Sequence, residues 1–349
     1  MSDPAAGTDA TIDPAQLTDW LERALDGFEG PLTIVRFAGG QSNPTYRLHT
    51  PGRDYVMRSK PPGTTLSSAH AIEREFRVMK ALAGQGVPVP RVRRLCEDPA
   101  VIGRSFYIMD FVDGDILWRP DLPEIAVESR PHYFDALNQT LADLHTLDPA
   151  ALGLSDYGKG EAYLRRQIDR WTRQYKSDEQ AGRIERMDVM AAWLAANAPT
   201  GNALAIVHGD FRINNIMFER GAPKVAAVLD WELSTIGDPI TDFAYHLMMY
   251  RVPAGIQGGG LKGLDLQALN LPSEDDYVRA YCDRTGRVSI PDLQFHLAYN
   301  LFRFAAIVHG IKARALRGNA SSDRALDVAA ALETYVDLAW DQAVLAGMR

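Results

Sequence analysis

The stretch His208-Gly209-Asp210-Phe211-Arg212-Ile213-Asn214-Asn215, with Val228-Leu229-Asp230-Trp231-Glu232 after it, decides how this chain reads. Asp210 comes just after the apolar run 203–207, and an amide follows five residues on at Asn215. A loop between two short strands can aim both side chains into one cleft. Phosphoryl transfer needs that pairing: a carboxylate orients the attacking hydroxyl and accepts its proton, while a carbonyl oxygen holds a divalent cation. Fifteen residues beyond Asn215, Asp230 follows two apolar residues at the end of a second run, where it suits a further metal ligand. Hard oxygen ligands of this kind suit Mg2+.

Upstream, Phe37-Ala38-Gly39-Gly40-Gln41-Ser42-Asn43 sits in a turn between two strand candidates within 31–50. Glycines let backbone N–H groups approach phosphate oxygens, and Ser42 and Asn43 are additional donors. No Gly-Lys-Ser/Thr follows, so this is not a Walker P-loop. The next strand candidate, 53–60, carries Arg58 and Lys60 on one face, since strand side chains alternate. From 68 to 82 the pattern is helical, with Ile72, Phe76, Met79 and Leu82 on one side. Two further strands are predicted in 87–96 and 104–112, and a short amphipathic helix over 14–25 precedes them all.

Beyond Gly114 the character changes. Phe134, Leu137, Leu141 and Leu144 form one helical stripe, and an Arg-rich helical stretch covers 161–197. Two short apolar strands flank the 208–215 motif and its polar loop, and from Asp242 the chain is mostly helical. A Gly-rich loop at 255–263 interrupts it. The expected architecture is α+β in two lobes: residues 1–112, a leader and a strand-rich lobe, and residues 113–349, a larger, mainly helical lobe.

The 349 residues are 46% hydrophobic and 23% charged, which suits a globular chain of about two domains. Lys plus Arg number 37 against 45 Asp plus Glu, a net charge of −8, so no nucleic-acid partner is expected. Cys96 and Cys282 are the two cysteines; lacking a CxxC partner, they read as buried thiols in a reducing compartment. The N-terminus has neither the basic nor the apolar region of a signal peptide, and no stretch approaches the ~18 apolar residues of a membrane span. A cytoplasmic protein without membrane insertion is expected.

The motifs together resemble the aminoglycoside phosphotransferase and choline kinase superfamily, whose fold is protein-kinase-like. His208-Gly209-Asp210 with Asn215 matches that family's H-G-D-x-x-x-x-N catalytic loop, and Val228-Leu229-Asp230-Trp231-Glu232 matches its metal-binding segment. Protein kinases have H-R-D and D-F-G at these places. Gly209 and Trp231-Glu232 therefore argue against a protein kinase controlled through its activation loop. A reading in which His208 and Asp210 cap a turn and Asp230 ends a strand is weaker, because the other parts of the fold appear in the right order.

The resemblance implies ATP and Mg2+ as cofactors, with residues 1–112 holding the nucleotide on an antiparallel sheet and one helix, and 113–349 carrying catalysis and substrate. It gives Asp210 the hydroxyl-orienting base role, and Asn215 (chosen over Asn214 by spacing) and Asp230 the metal, with Glu232 a further candidate. Gly39, Gly40, Ser42 and Asn43 become the phosphate-covering hairpin. Arg58 takes the place of the usual strand lysine, with Lys60 in reserve, and Glu75 becomes its partner on the helix. Met109, Asp110 and Val112 would meet the adenine. Gly237-Asp238-Pro239-Ile240-Thr241-Asp242-Phe243 matches a segment whose second acid, Asp242, accepts backbone N–H bonds from the catalytic loop; Asp238 caps the helix that follows. His208 holds the loop.

Several stretches, among them 229–242 and 300–322, are similar to the branch related to kinase-like domains fused to acyl-CoA dehydrogenases. That likeness implies an alcohol-accepting phosphotransferase whose small-molecule substrate is a 4-hydroxyacyl-CoA, with coupling to an acyl-CoA dehydrogenase in trans. Arg303, Lys312, Arg314 and Arg317 are available to an anionic substrate, and Tyr299, Asn300 and Arg303 are candidate substrate contacts beside the Leu297, Leu301, Phe304, Val308 stripe. The alternatives are an aminoglycoside, a choline-like alcohol or a sugar as acceptor, or a pseudokinase that binds nucleotide without transfer.

Overall fold

The computed structural model describes residues 12–37, 43–62, 72–200, 203–256, 259–318 and 325–349. The chain forms two compact units, Met1–Gly114 with Ala226–Ser234, and Asp115–Val225 with Thr235–Arg349. The sequence boundary at 112/113 lies next to the first crossing, whereas Ala226–Ser234 joins the strand-rich unit although it was assigned to the helical lobe.

In the first unit, helix α1 (Pro14–Ala24) starts where Asp13 accepts an N–H bond from Ala15 at 2.9 Å, with Pro14 in its first turn. Strands β1 (Thr33–Arg36), β2 (Thr45–His49) and β3 (Asp54–Ser59) precede α2 (Ile72–Leu82). After it come β4 (Val92–Cys96), the short helix α3 (Pro99–Ile102) and β5 (Phe106–Asp110). The sheet is antiparallel throughout, in the order β1-β2-β3-β5-β4. One apolar cluster joins Leu17 and Leu21 of α1 to Tyr46, Leu48, Met57, Phe106 and Ile108 of the sheet. On α2 the apolar side includes a charged residue, Glu75, only 2% exposed. The single turn Trp231–Leu233 packs against α2 and returns Asp230 to this unit.

The second unit opens with β6 (Asp115–Ile116) and α4 (Arg130–Thr146). Helices α5 (Tyr163–Ser177) and α6 (Glu185–Asn197) divide the predicted 161–197 stretch, because Gly182 and its neighbours break it. Strands β7 (Ala205–Val207), β8 (Ile216–Phe218) and β10 (Thr235–Gly237) are only three residues each, and β9 (Val225–Val228) runs into the segment that belongs to the first unit. β10 pairs with β7 and β6 with β8, both antiparallel. β6, β8 and β10 escaped the sequence reading, since two or three residues show no periodicity. The remaining chain forms α7 (Pro239–Leu247), α8 (Glu274–Thr285), α9 (Leu293–Leu316), α10 (Ala325–Ala330) and α11 (Leu332–Leu345).

Helix α9 is the centre of this unit, packed by α5, α6, α7, α10 and α11. Leu297, Leu301 and Val308 are buried as predicted, but so are residues on its other sides, which is the signature of a helix surrounded by helices. Cys96 and Cys282 are both buried free thiols. Among the described residues no helix is long and apolar enough to cross a membrane.

Candidate active site

Within the first unit, Arg58 gathers three carboxylates. Its Nε lies 2.9 Å from Glu75 Oε2, its Nη2 donates to Asp230 Oδ1 at 2.7 Å, and Glu232 Oε2 is 3.5 Å away. Arg58, the penultimate residue of β3, stands directly opposite Tyr107 of β5, and Tyr107 donates its hydroxyl to Glu75 at 3.1 Å. Asn43 is turned inward as well: its amide donates to Glu75 Oε1 at 2.8 Å. Burial pushes the Glu75 carboxyl up to about 7; Arg58 pulls it down, and the Asp230 and Glu232 charges push with the burial. Those same acids hold the Arg58 guanidinium charged against its own desolvation. Lys60, by contrast, pairs with Glu73 at a partly exposed position.

Asp230 has φ 64° and ψ 62°, a left-handed backbone that costs a non-glycine residue energy and that Asp tolerates better than most. It turns the chain sharply at the end of β9. Gly39, Gly40 and Ser42 lie outside the described residues. Met109, Asp110 and Val112 are half-buried; the Asp110 carboxylate is gripped by Arg93 at 2.6 and 2.7 Å, and its N–H donates to Arg91 O.

Within the second unit, the loop after β7 is built around Asp210. Asn215 donates from one amide nitrogen to the Asp210 carbonyl at 2.9 Å and to its Oδ2 at 2.8 Å. The Tyr245 hydroxyl donates to the other carboxylate oxygen, and Arg212 Nε lies 3.4 Å from Oδ2. Asn215 therefore keeps its carbonyl oxygen for another partner. The backbone beneath is held by Asp242 of α7, which accepts the His208 N–H at 2.7 Å and the Gly209 N–H at 2.8 Å. Burial alone would raise Asp242; its bond from His145, the nearby His208 and the backbone bond from His208 outweigh that and hold it below the ordinary carboxylate range. His208 accepts the Asp210 N–H at 3.2 Å, so it braces the loop. Gly209 has φ 82°, a conformation that favours glycine between the two. Asp238 caps α7 by accepting the Ile240 N–H at 2.8 Å.

The substrate candidates on α9 are placed differently from their expected exposure. Tyr299 and Asn300 are 1% and 0% exposed, and Asn300 spends its amide on the backbone carbonyls of Thr241 and His296. Arg303 is buried too; it donates to Gly209 O at 3.0 Å and lies over the rings of Tyr245 and Trp171 at 5.0 and 5.5 Å. It supports the loop from behind, and these three side chains do not line an open surface. Arg317 pairs with Asp178 at 3.3 Å. The sequence reading missed Tyr245 and Tyr107. Tyr245 stands three residues past Asp242 on one helix, a spacing that brings side chains together; Tyr107 lies two residues before Met109 on β5 and so shares its face, which is the signal that could have found it.

The model of the phosphotransferase enzyme family matches residues 33–277. A Mus musculus protein named acyl-CoA dehydrogenase family member 10 is 42% identical over 337 residues, 95% of this chain and 31% of its own length. A Gallus gallus protein named acyl-CoA dehydrogenase family member 11 is 41% identical over 320 residues, 89% of this chain and 41% of its own. The chain thus spans about a third to two-fifths of the length of these relatives. A crystal structure from Ralstonia eutropha, described as a candidate aminoglycoside phosphotransferase, is 46% identical with a TM-score of 0.88, covering 96% of this chain and 99% of that one. An aminoglycoside phosphotransferase solved with ADP and hygromycin B shares the fold at 15% identity, TM-score 0.59, over 93% and 97% of the two chains. The kinase-like α+β fold expected from the sequence is the fold of these structures.

Proposed function

We propose that the chain, which belongs to the phosphotransferase enzyme family, transfers the γ-phosphoryl of ATP, with Mg2+, to the hydroxyl of a 4-hydroxyacyl-CoA. The observation that carries the kinase reading is the Asp210 carboxylate fixed on one side by Asn215 and on the other by Tyr245. In the reaction the acceptor oxygen bonds to the γ-phosphorus, the bond from that phosphorus to the ADP oxygen breaks, and the hydroxyl proton passes to Asp210. The products are ADP and a phosphate monoester. Arg58, braced by Glu75, is the cation for the nucleotide phosphates.

Among the described residues no group of three or more His, Cys, Asp or Glu is arranged to hold a metal by itself. That fits Mg2+, which takes one or two protein oxygens and otherwise phosphate and water. Asn215 Oδ1 is left available by its amide bonds, and Asp230 carries a carboxylate; each is a candidate ligand, and the ion would supply neutralisation of phosphate charge. The acceptor class is supported by the relatives, named as members of an acyl-CoA dehydrogenase family, whose partner chemistry makes coupling to such a dehydrogenase part of the proposal.

An aminoglycoside acceptor is the second reading, favoured by the description of the Ralstonia structure. Transfer of labelled γ-phosphate to a panel of 4-hydroxyacyl-CoA thioesters, choline and aminoglycosides decides between them. Label on the thioester alone is expected; label on an aminoglycoside, or on nothing, overturns the acceptor assignment. Asp210→Ala serves as the blank: its turnover should fall ~10²–10⁴-fold while ATP affinity by calorimetry hardly moves.

A further inference from the structure

The second unit contains a cavity of about 650 Å³ beside the loop that carries Asp210. One end is formed by Arg212, Ile213 and Asn214 of that loop and by Tyr245. Tyr245 donates its hydroxyl to Asp210, so the cavity shares a wall with the reacting carboxylate. Much of the rest is apolar, with Arg119 and His246 also in the wall: Met248, Met249 and Val252 follow α7, Phe304 comes from α9 and Tyr335 from α11, the last two with ring centroids 4.6 Å apart.

Among the described residues lining this space there is no Asp or Glu, and its formal charges are those of Arg119 and Arg212. His246, also in the wall, is held neutral near pH 7 because burial lowers its pKa to about 4. A polycation entering here finds no carboxylate on these walls, whose two guanidinium groups already pair with Asp121 at 2.6 Å and Asp210 at 3.4 Å. An alkyl chain finds two methionines, unbranched and adaptable in shape, and aromatic faces. Volumes of this size are ordinary for small-molecule pockets.

We propose that this cavity binds the apolar chain of the acceptor, sets its permitted length and excludes polycationic acceptors, with Met248, Met249, Val252, Phe304 and Tyr335 as the length-setting wall. The assignment rests on the phosphotransferase reading above only for where the hydroxyl sits, at the Asp210 end. Phe304 and Tyr335 line the same cavity, which takes the apolar chain that carries that hydroxyl.

Binding tests it without nucleotide. The full chain is titrated with the fluorescent fatty acid cis-parinaric acid, which hydroxy fatty acids of rising length then displace, with kanamycin as the cationic competitor. Affinity should climb about fourfold per methylene up to a limiting length, and kanamycin should displace nothing. Ala254→Trp, which fills the cavity from a half-buried wall position, should shorten the limit. Phe304→Ala, which enlarges the cavity, should lengthen it. Circular dichroism and melting curves select variants that fold, and one folded variant suffices. Displacement by kanamycin, absence of probe binding, or a length limit unmoved in a folded variant overturns the proposal. Transfer from ATP to the same series, measured separately, isolates the other reading. Length-dependent binding without phosphate transfer supports the cavity assignment and removes the kinase acceptor. Transfer with a length limit that ignores the variants leaves the acceptor and overturns the cavity.

Discussion

At the scale of single residues, the chemistry concentrates in two carboxylates with opposite surroundings. Asp210 sits at a partly open position with donors on both oxygens, while Glu75 is buried among donors and like charges. For Glu75 the folded pKa of about 7 lies above the ordinary 4.5, so its proton is favoured by the fold. Its contribution to stability is therefore complete below about pH 4.5 and is lost as pH rises through about 7. Its contribution to function runs the other way, since only the ionised form pairs fully with Arg58. The Michaelis constant for ATP should rise as pH falls below about 7, and Glu75→Gln should raise it at pH 8 to near the wild type's acid-side value and flatten that dependence. Steady-state kinetics from pH 5.5 to 8.5 give the result; a wild-type profile matching the variant's would remove Glu75 from the phosphate grip.

Among the elements, α9 and α7 show how the loop is held. Helix α7 presents Asp242 to two backbone N–H groups and, one turn later, Tyr245 to the Asp210 side chain. Helix α9 adds Arg303 behind Gly209. Because α9 is buried nearly all round, truncating it leaves a void that neighbours on several sides must close. Leu301→Ala, at a fully buried position, should cost ~2–5 kcal/mol, read as a lower urea midpoint with an unchanged slope. A loss under ~1 kcal/mol would show that the core around α9 relaxes freely. The sequence showed the helix and its apolar stripe. It did not show that Tyr299, Asn300 and Arg303 are also enclosed, because a period of 3.6 residues names a preferred face and says nothing about how many partners surround the helix.

For the whole molecule, buried histidine and aspartate make acid the weak side. His246 is neutral in the fold, with a pKa lowered by burial to about 4 against the ordinary 6.5, and its ring bonds the Tyr277 hydroxyl at 2.8 Å. Its contribution is present above about pH 6.5 and is lost as pH falls through about 4, at most ~3 kcal/mol. Asp242, also lowered, works in the same direction at still lower pH. Glu75 works in the opposite direction between pH 7 and 4.5, so the His246 contribution is read as the difference between wild-type and His246→Asn melting temperatures, which should be largest near neutral pH and should narrow as pH falls from 6.5 to 4. A difference that stays constant over that range would assign the acid loss to other groups.

The sequence by itself determined the local elements and the order of the motifs: strand alternation around Arg58, helical stripes, the Asp210 to Asn215 spacing and the cap at Asp238. These depend on neighbours within a few residues, which the chain order states directly. Only the tertiary structure decided which of them meet. It brings Arg58 to Asp230 across 172 positions, turns Asn43 inward to Glu75, sets Tyr245 against Asp210 and closes Arg303 behind the loop. It also gives Glu75 its raised pKa and the cavity its apolar wall. Burial and partnership arise from packing between distant elements, and no local pattern encodes the identity of the partner.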